Sequence, residues 1–363
     1  MRCAVVGGGV VGVTVALELA RRDAEVTLFE ADAVAAGSSG RAAGVCYDAF
    51  ADPLDAELAE RALDVFRRRD ALTDCPYVWL AREGDTRNAA AIDDHVPRMR
   101  DNGIDVAFAD PETLGDRYPA LCVEDIERAG IATGAGYADT AAYTQATAKL
   151  ATEAGVDLRE RTPATVGSGR TVNDVAYDAV VVAAGAHTAS VLSAADFPVP
   201  VKPYRVQAFL SEPTPIADSV PMLYDATGGY YVRPRAGGLF VGDGTEPIER
   251  DPDGWNRLAD GWFRDDCAEY LRTAVGETVP ERRSWAGLCT ATPDGDPLVG
   301  ERAPGVYVAS GFQGHGFMRA PAIGELLAEQ MCGRDGVDAF DPKRFDGDES
   351  FEIVEGMTLD DGV

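Results

Sequence analysis

The chain has 363 residues with 61 acidic and 33 basic side chains, which gives a formal net charge of −28. This length exceeds one average domain and suffices for a large buried core, and the charge disfavours nucleic acid and anionic membrane surfaces as partners. Only three of the basic residues are lysines, and such a composition resembles proteins of salt-loving archaea, whose internal salt screens the self-repulsion. We therefore expect a haloarchaeal protein whose charge reflects its solvent.

Neither a metal site nor a targeting segment is indicated. Seven cysteines are scattered without a C-x-x-C pair, and the three histidines are widely separated, which favours neither a disulfide framework nor a metal site. The apolar N-terminus is interrupted by glycines, by Glu18 and by Arg21-Arg22, unlike a secretory signal, and no later apolar run has the length of a membrane span. We expect a cytoplasmic protein.

The first thirty residues predict a strand, a glycine turn, a helix and a second strand. Cys3–Val6 is apolar, Val13–Arg22 has helical spacing, and Glu25–Phe29 is a second apolar run that ends at an acid. The sequence GGGVVG at 7–12 lies between the first strand and the helix. This context is typical of dinucleotide binding, and a tight crossover without a ligand is the alternative.

Each glycine of this motif has a physical role in binding a dinucleotide. Gly7 allows the tight turn, Gly9 lets the backbone approach a pyrophosphate, and Gly12 lets the helix pack on the strand. Glu30 would accept hydrogen bonds from ribose hydroxyls. A loop of small residues at 35–44 then permits close approach to a flat or charged group, and Arg41 within it is a candidate phosphate ligand or, alternatively, a solvent-exposed arginine.

The remaining predicted elements alternate between two patterns of secondary structure. Helices are predicted at Leu54–Arg69, Asp85–Asn102, Ala141–Ala154, Trp255–Arg272 and Ala320–Cys332. Strands are predicted at Tyr77–Ala81, Val106–Ala109, Glu127–Thr133, Ala179–Gly185, Val206–Leu210, Gly229–Arg233, Leu239–Gly242 and Gly305–Gly311, with a hairpin turn at Gly237-Gly238. The unbroken apolar run 179–185 indicates a central parallel strand covered on both faces.

The predicted fold class is α/β, with a Rossmann-like βαβ nucleotide domain interleaved with an α+β cap built on a mixed or antiparallel sheet. A simple NAD dehydrogenase has one uninterrupted Rossmann block, so the interleaving favours another dinucleotide. The predicted boundaries are 1–74, 135–198 and 284–345 for the nucleotide domain, 75–134 and 199–283 for the substrate (cap) domain, and 346–363 for an acidic tail that we expect to be frayed beyond Asp341.

Six stretches in this order resemble the D-amino-acid oxidase, glycine oxidase and sarcosine oxidase superfamily of FAD-dependent amine oxidoreductases. They are GGGVVG with Glu30, GSSGRAAG, AVVVAAGAHT, GGYYVRPRAGGLFVGDG, GLCTATPDGDPLVG and GFQGHGFMRAPAIGELLAE. The resemblance covers nearly the whole chain. It implies an extended FAD, with its ADP half on residues 7–30 and its isoalloxazine between the cap sheet and the turn 311–318.

Carried over by position, the resemblance implies a set of cofactor contacts. Beside the three glycines and Arg41, the residues are Val10, Val11, Glu30, Ser38, Ser39, Ala43, Gly44, Val45, the backbone of Val166, Gly185, Gly314, His315, Gly316, Phe317 and Met318. Backbone N–H groups and the following helix would stabilise negative charge on reduced flavin. A histidine in a glycine turn can also serve only to cap the backbone, so a structural role for His315 stays open.

We predict that FAD is bound non-covalently. In branches of the superfamily with covalent flavin, the bond comes from a histidine of the early loop, which is Arg41 here, or from a cysteine at the place of Gly287. Cys289, two residues further on, leaves a covalent bond open as an alternative.

The implied reaction is oxidation of the C–N bond of an amino acid or secondary amine by hydride transfer to flavin N5. The superfamily's carboxylate-binding arginine is replaced by Cys289, and its lysine after GHGF by Met318. If Gly229–Arg233 is a strand, Tyr231 and Arg233 share a face. Tyr231 matches the family's substrate tyrosine, so Arg233 is the candidate carboxylate anchor, with a solvent-facing arginine as the alternative. Tyr231, Arg233 and His315 are thus the candidate catalytic residues.

The electron acceptor is predicted to be a quinone or carrier rather than O₂. A lysine that promotes reaction with O₂ in sarcosine oxidases is Phe240 here, and a nearby histidine is Gly244. Two other classes stay open: a flavin-containing subunit or assembly factor of a larger redox complex without amine turnover, and an NAD(P)-dependent Rossmann dehydrogenase, in which the turn at 311–318 would have no role. The sequence does not choose the substrate or the oligomeric state, a hetero-complex included.

Overall fold

A computed structural model of the chain describes residues 1–242 and 244–354. The described helices are α1 Val10–Ala20, α2 Pro53–Arg68, α3 Thr86–Asp101, α4 Pro111–Arg117, α5 Thr140–Glu153, α6 Thr188–Ser193, α7 Gly261–Val275 and α8 Gly316–Met331. The described strands are β1 Arg2–Val6, β2 Glu25–Phe29, β3 Val45–Cys46, β4 Thr73–Asp74, β5 Tyr77–Arg82, β6 Val106–Phe108, β7 Ile126–Ala132, β8 Gly136–Tyr137, β9 Asp157–Arg159, β10 Val166–Gly167, β11 Thr171–Val172, β12 Val175–Ala176, β13 Ala179–Val182, β14 Lys202–Ser211, β15 Met222–Asp225, β16 Tyr230–Arg235, β17 Gly238–Gly242, β18 Glu246–Glu249, β19 Glu281–Ala291, β20 Leu298–Ala303 and β21 Val306–Ser310.

The first large sheet has the strand order β20-β21-β13-β1-β2-β9. All neighbours pair in parallel except β20, which runs antiparallel to β21. Strand β13 is covered on both faces, because Val181 packs in one core cluster and Val180 and Val182 in another. The prediction of a central, doubly covered strand is therefore confirmed, and the mixed α/β fold class with it.

The second large sheet has the order β18-β14-β17-β16-β15-β5-β7-β6, and β19 pairs with β14 along its length. Its pairs are antiparallel except β5 with β15, which joins two distant chain segments in parallel, from Tyr77 with Met222 to Leu80 with Asp225. One face packs on α7 through residues such as Val232, Val241 and Phe263. The other face carries Phe240 and Trp285 and contacts the loop at Ala43. The domain boundaries drawn from the sequence stay a prediction.

Three sequence predictions differ in detail from the structure. The helix predicted from Trp255 begins only at Gly261, because the guanidinium of Arg205 binds the carbonyls of Asn256 and Leu258 and holds that segment as a loop. The hairpin turn lies one residue earlier than predicted, at Ala236-Gly237, whose φ angles of 52° and 78° are those of a two-residue hairpin turn. The last helix, α8, begins earlier than predicted, because the glycine turn leads into it directly at Gly316.

The sequence also missed strands β15, β19 and β20, and it mispredicted part of the tail. Residues up to 354 are not frayed, since Lys202 donates to the carbonyl of Phe351 at 2.6 Å and Ile353 packs against Tyr204. Residues 355–363 lie outside the described part of the chain. Within that part, no helix combines the length and apolarity that crossing a membrane requires.

Candidate active site

The N-terminal glycine turn places the first helix directly after β1. A Cβ on Gly12 would lie 1.9 Å from the carbonyl oxygen of Gly7, so only glycine allows helix and strand to approach this closely. The carboxylate of Glu30, at the end of β2, accepts hydrogen bonds from the backbone N–H of Gly8 at 2.6 Å and of Asp32 at 2.8 Å. The turn therefore has a carboxylate on one side and the positive end of the α1 dipole on the other.

The loop of small residues connects this turn to the second sheet. Ser39 Oγ accepts from the N–H of Val10 at 2.9 Å, at the start of α1, whereas Ser38 Oγ donates to the carbonyl of Leu288 on β19 at 2.5 Å. Arg41 donates to the carbonyl of Ala36 at 2.7 Å and is half-buried rather than solvent-exposed. The contact of Arg41 with a phosphate stays a prediction. The loop thus bridges the two sheets.

A second helix begins on the far side of the site. Gln313 N–H donates to the carbonyl of Thr290 at 3.0 Å, and Gly311 N–H donates to its Oγ1 at 3.2 Å, so the end of β19 fixes the glycine turn. Gly314 has φ +88°, and His315 is the N-cap of α8. The Phe317 ring packs with those of Phe66 and Tyr143 in the helical core, so the residue can face the site only through its backbone.

The other predicted contacts are placed by these same elements. Val11 is buried in α1, and Met318 is buried in α8. Gly44 precedes Val45, which pairs with Tyr137 in a small sheet. Val166 is buried beside the first sheet and pairs with Val172, and the carbonyl of Gly185, just after β13, accepts from Ser310 Oγ at 3.4 Å.

Arg233 is 2% exposed and lies on the sheet face opposite α7. Its Nε donates to the carbonyl of Ala43 at 2.6 Å and its Nη1 to that of Pro234 at 2.7 Å, and the guanidinium lies 4.8 Å from the Tyr137 ring centre. No carboxylate pairs with it among the described residues. Burial, and then repulsion from Arg235, lower the pKa of Arg233 to about 10, which still leaves it charged at neutral pH. The solvent-facing alternative is wrong.

Tyr231 shares that face, as the strand alternation predicts. Its ring stacks on Phe240 with centroids 5.8 Å apart, and Phe240 also lies 5.3 Å from the Arg233 guanidinium. Gly242 faces Tyr231 across the strand pair, where an added Cβ would overlap the phenol ring at 2.0 Å. Only glycine at 242 therefore leaves room for the Tyr231 ring in this position.

His315 belongs to an aromatic cluster at the start of α8. Its Nε2 lies 3.2 Å from the hydroxyl of Tyr47, and its ring meets Phe50 at a centroid distance of 5.7 Å. Burial, and then the nearby Arg319, lower the pKa of His315 to about 3, so the ring is neutral at physiological pH. Arg319 is 6% exposed, and its Nη2 pairs with Asp55 at 2.8 Å.

Several residues at this site escaped the sequence analysis. Trp285 donates from Nε1 to the carbonyl of Arg41 at 3.1 Å, and the guanidiniums of Arg235 and Arg283 lie 5.4 Å and 5.0 Å from its ring centre. For Arg235 a signal existed, because it continues the alternation of Tyr231 and Arg233. Tyr47 and Trp285 gave no such signal, since β3 has two residues and β19 was not predicted as a strand.

Comparison with known proteins identifies the family to which the chain belongs. The family model described as FAD dependent oxidoreductase matches residues 2–330. The chain belongs to this family. It is therefore an enzyme of FAD-dependent redox chemistry, and the alternative of an NAD(P)-dependent dehydrogenase is wrong.

Individual relatives are similar over nearly the whole chain. The 4-methylaminobutanoate oxidase (formaldehyde-forming) of Paenarthrobacter nicotinovorans is 27% identical over 96% of this chain, which spans only 46% of that protein. The glycine oxidase of Pseudomonas aeruginosa is 26% identical over 93% of this chain and 96% of its own length. The crystal structure of L-proline dehydrogenase from P. horikoshii is 26% identical, with a TM-score of 0.86 over 94% of this chain and 97% of that one.

The residues present fit FAD. The glycine cradle at α1 leaves backbone N–H groups and a helix dipole for a pyrophosphate, and the Glu30 oxygens keep acceptor capacity for a ribose beside their backbone bonds. A second helix N-terminus at Gly316 offers positive potential at the other end. The individual FAD contacts remain predictions.

Proposed function

We propose that the enzyme oxidises the C–N bond of an amino acid or secondary amine and that Arg233 binds the substrate carboxylate. The observation that carries this proposal is a buried guanidinium without a carboxylate partner among the described residues, on the same sheet face as Tyr231. A guanidinium binds a carboxylate through two parallel charge-assisted hydrogen bonds, which fixes orientation as well as position. The substrate would thereby be held against the Tyr231–Phe240 face.

The protein's own contribution is orientation and exclusion of water. Bound FAD supplies the hydride acceptor at N5, and the resulting imine is hydrolysed by water to a carbonyl compound and an amine. Arg233 would hold the carboxylate, and Tyr231 would line the substrate position from the same strand. His315 stays neutral at physiological pH, so its Nε2 and the Tyr47 hydroxyl are joined by one hydrogen bond and the ring adds no cation at the start of α8.

We further propose a dehydrogenase that passes electrons to a quinone or carrier, with FAD bound non-covalently. Support comes from the neutral, fully buried Phe240 at the position where an oxidase-type lysine would lie. Two cations lie nearby, since the guanidiniums of Arg233 and Arg235 are 5.3 and 5.4 Å from the centre of this ring. The difference from the oxidases therefore concerns the side chain at position 240 alone. Retention of flavin on the denatured chain would contradict non-covalent binding.

Anaerobic mixing of the FAD-loaded protein with a substrate panel tests the proposal. Sarcosine, proline, dimethylglycine, glycine and D-alanine are compared in high salt, and at least one is expected to bleach the visible flavin absorbance. Stoichiometric FAD that no amine bleaches would instead favour a subunit or assembly factor of a larger redox complex. Air is then admitted: slow reoxidation, accelerated by a quinone, supports the dehydrogenase, and rapid reoxidation by air overturns it.

A further inference from the structure

Arg235 lies beside Arg233 over the same Phe240 ring, and Arg283 lies with Arg235 against Trp285, in a chain that is otherwise strongly acidic. Arg235 and Arg283 lie against Trp285, whose indole binds the backbone of Arg41. Arg41 packs on β19, where a Cβ added to Gly287 would meet its Cβ at 3.8 Å. Burial, and then Arg257 and Arg283, lower the pKa of Arg41, so these positive charges act on one another.

Three of the four buried arginines in the described part of the chain have a carboxylate partner, and Arg233 is the exception. Arg82 pairs with Asp225, Arg205 with Asp260, and Arg319 with Asp55. Arg235 has no salt bridge among the described residues, and its Nη1 is buried without a hydrogen-bond partner. Asp139 is the acid that favours its charge, and that carboxylate already accepts from the N–H of Ala142 as the N-cap of α5.

Arg233 and Arg235 on β16 are spaced so that one ligand can contact both. Arg233 and Arg235 are alternate residues on one face, so their Cα atoms are about 6.5 Å apart. Both guanidiniums lie over the same Phe240 ring, at 5.3 and 5.4 Å from its centre. Two carboxylates joined by a short carbon chain could therefore each meet one of these guanidiniums.

We propose that Arg235, together with Arg283 against the same Trp285 ring, forms a second anion subsite, and that the substrates of this enzyme are amines carrying two carboxylates. The inference rests on the proposed function, because Arg233 takes the first carboxylate. A neutral ligand would leave the half-buried guanidinium of Arg235 without a carboxylate partner among the described residues, whereas a second carboxylate supplies a partner of the opposite charge. The subsite therefore selects substrates by charge and not by size alone.

Unreactive anions test the subsite without turnover. The FAD-loaded protein is titrated with acetate, propionate, succinate and glutarate at constant ionic strength, followed by the flavin spectrum and by calorimetry. A dicarboxylate is expected to bind at least about tenfold more tightly than the monocarboxylates, the value of one charge-assisted hydrogen bond. Equal affinity of the two classes overturns the inference.

Single-residue variants test which arginines cause the tighter binding of dicarboxylates. Arg235→Gln is expected to reduce the dicarboxylate advantage to less than about twofold while monocarboxylate binding stays within about threefold. Arg283→Gln, at an exposed position, gives a second test if the first variant does not fold. Arg282→Gln is the matched control, because this exposed neighbour on β19 has no cation–π contact with Trp285 in the described part of the chain. An advantage that persists in both Arg235→Gln and Arg283→Gln contradicts the subsite.

A pair of substrates distinguishes failure of the second anion subsite from failure of the proposed amine oxidation. N-methylaspartate and N-methylalanine differ by one carboxylate, and kcat/KM is expected to favour N-methylaspartate at least about tenfold. Oxidation of both at similar kcat/KM would remove the subsite and leave amine oxidation intact. Reduction of flavin by neither compound nor by the simpler amines would remove the proposed function itself.

Discussion

Arg233 and Arg319 are both buried arginines beside aromatic rings, yet they are compensated differently. Arg319 on α8 is 6% exposed, lies 5.0 Å from the Phe50 ring centre and pairs with Asp55 at 2.8 Å. Arg233 on β16 is 2% exposed, lies 4.8 Å from the Tyr137 ring centre and binds only carbonyl oxygens among the described residues. The charge of Arg319 is neutralised by an acid of the protein, whereas the charge of Arg233 has no acid as partner in the described part of the chain, and we propose that a substrate supplies one.

This difference separates a structural from a binding role on physical grounds. Desolvating an ion costs several kcal/mol, and a partner of opposite charge recovers part of that cost. A buried charge that lacks such a partner lowers stability, which supports the proposal that Arg233 interacts with the substrate. Arg82 and Arg205, which have carboxylate partners, fall on the structural side with Arg319.

The largest effect is expected from Arg233→Met. Loss of the carboxylate anchor should raise KM for the best substrate about 100-fold, as expected for removal of a bidentate charged contact. The melting temperature of the substrate-free protein should not fall, because an uncompensated buried charge is removed. Steady-state kinetics and thermal unfolding measure the two effects, with Arg282→Gln as control. An unchanged KM for every amine would show that Arg233 is not the anchor.

Arg319→Met is expected to give the opposite pattern. It removes the guanidinium that pairs with the Asp55 carboxylate, which is 22% exposed, and should lower the free energy of unfolding by about 2 kcal/mol. The double variant with Asp55→Asn should recover much of this loss, because the acid that Arg319 neutralised is then removed as well. Denaturant unfolding of the single and double variants measures the coupling. If the effects of the two substitutions simply add, the ion pair does not have the structural role that we infer for it.

The pH dependence of stability tests the neutral state of His315 beside Arg319. Its folded pKa of about 3 lies below the ordinary value of 6.5, so the unfolded chain binds a proton first as the pH falls. The contribution to stability is complete above pH 6.5 and is lost between pH 6.5 and 3, with a slope of at most about 1.4 kcal/mol per pH unit. Thermal unfolding of the wild type and His315→Gln at several pH values measures this slope. The variant should be less pH-dependent, and an identical profile would contradict the assignment.

The smallest effect is expected at the start of α1, the predicted pyrophosphate site, with which neither arginine has a hydrogen bond or ion pair among the described residues. Ser39→Ala removes the acceptor for the Val10 N–H at the start of α1 and should destabilise the protein by about 1 kcal/mol. KM should stay near the wild-type value once FAD is saturating. Unfolding and FAD titration measure the two quantities, and a large rise in KM would mean that the two ends of the site are coupled.

The sequence predicted the parts of the fold that local rules determine. The N-terminal strand–turn–helix–strand unit and the fully apolar β13 follow from period and glycine spacing, and both are confirmed. The shared face of Tyr231 and Arg233 follows from strand alternation. The resemblance added FAD, which the family confirms.

What the sequence could not provide depends on long-range contacts. Strand β19 became visible only through its pairing with β14, and Trp285 meets Arg41 across 244 positions of the chain. That no carboxylate pairs with Arg233 in the described part of the chain is likewise a tertiary fact, since acids are abundant in the sequence. The pairing of Arg319 with Asp55 spans two helices and leaves no local pattern.

The order of strands in the first sheet also constrains how this chain can fold as it is synthesised. Strand β13, four buried apolar residues, lies between β1 and β21, and β21 begins only at Val306. Until roughly the last sixth of the chain has emerged, β13 is an unprotected apolar edge open to pairing with other chains. Completion of the sheet by residues so distant in sequence favours slow folding.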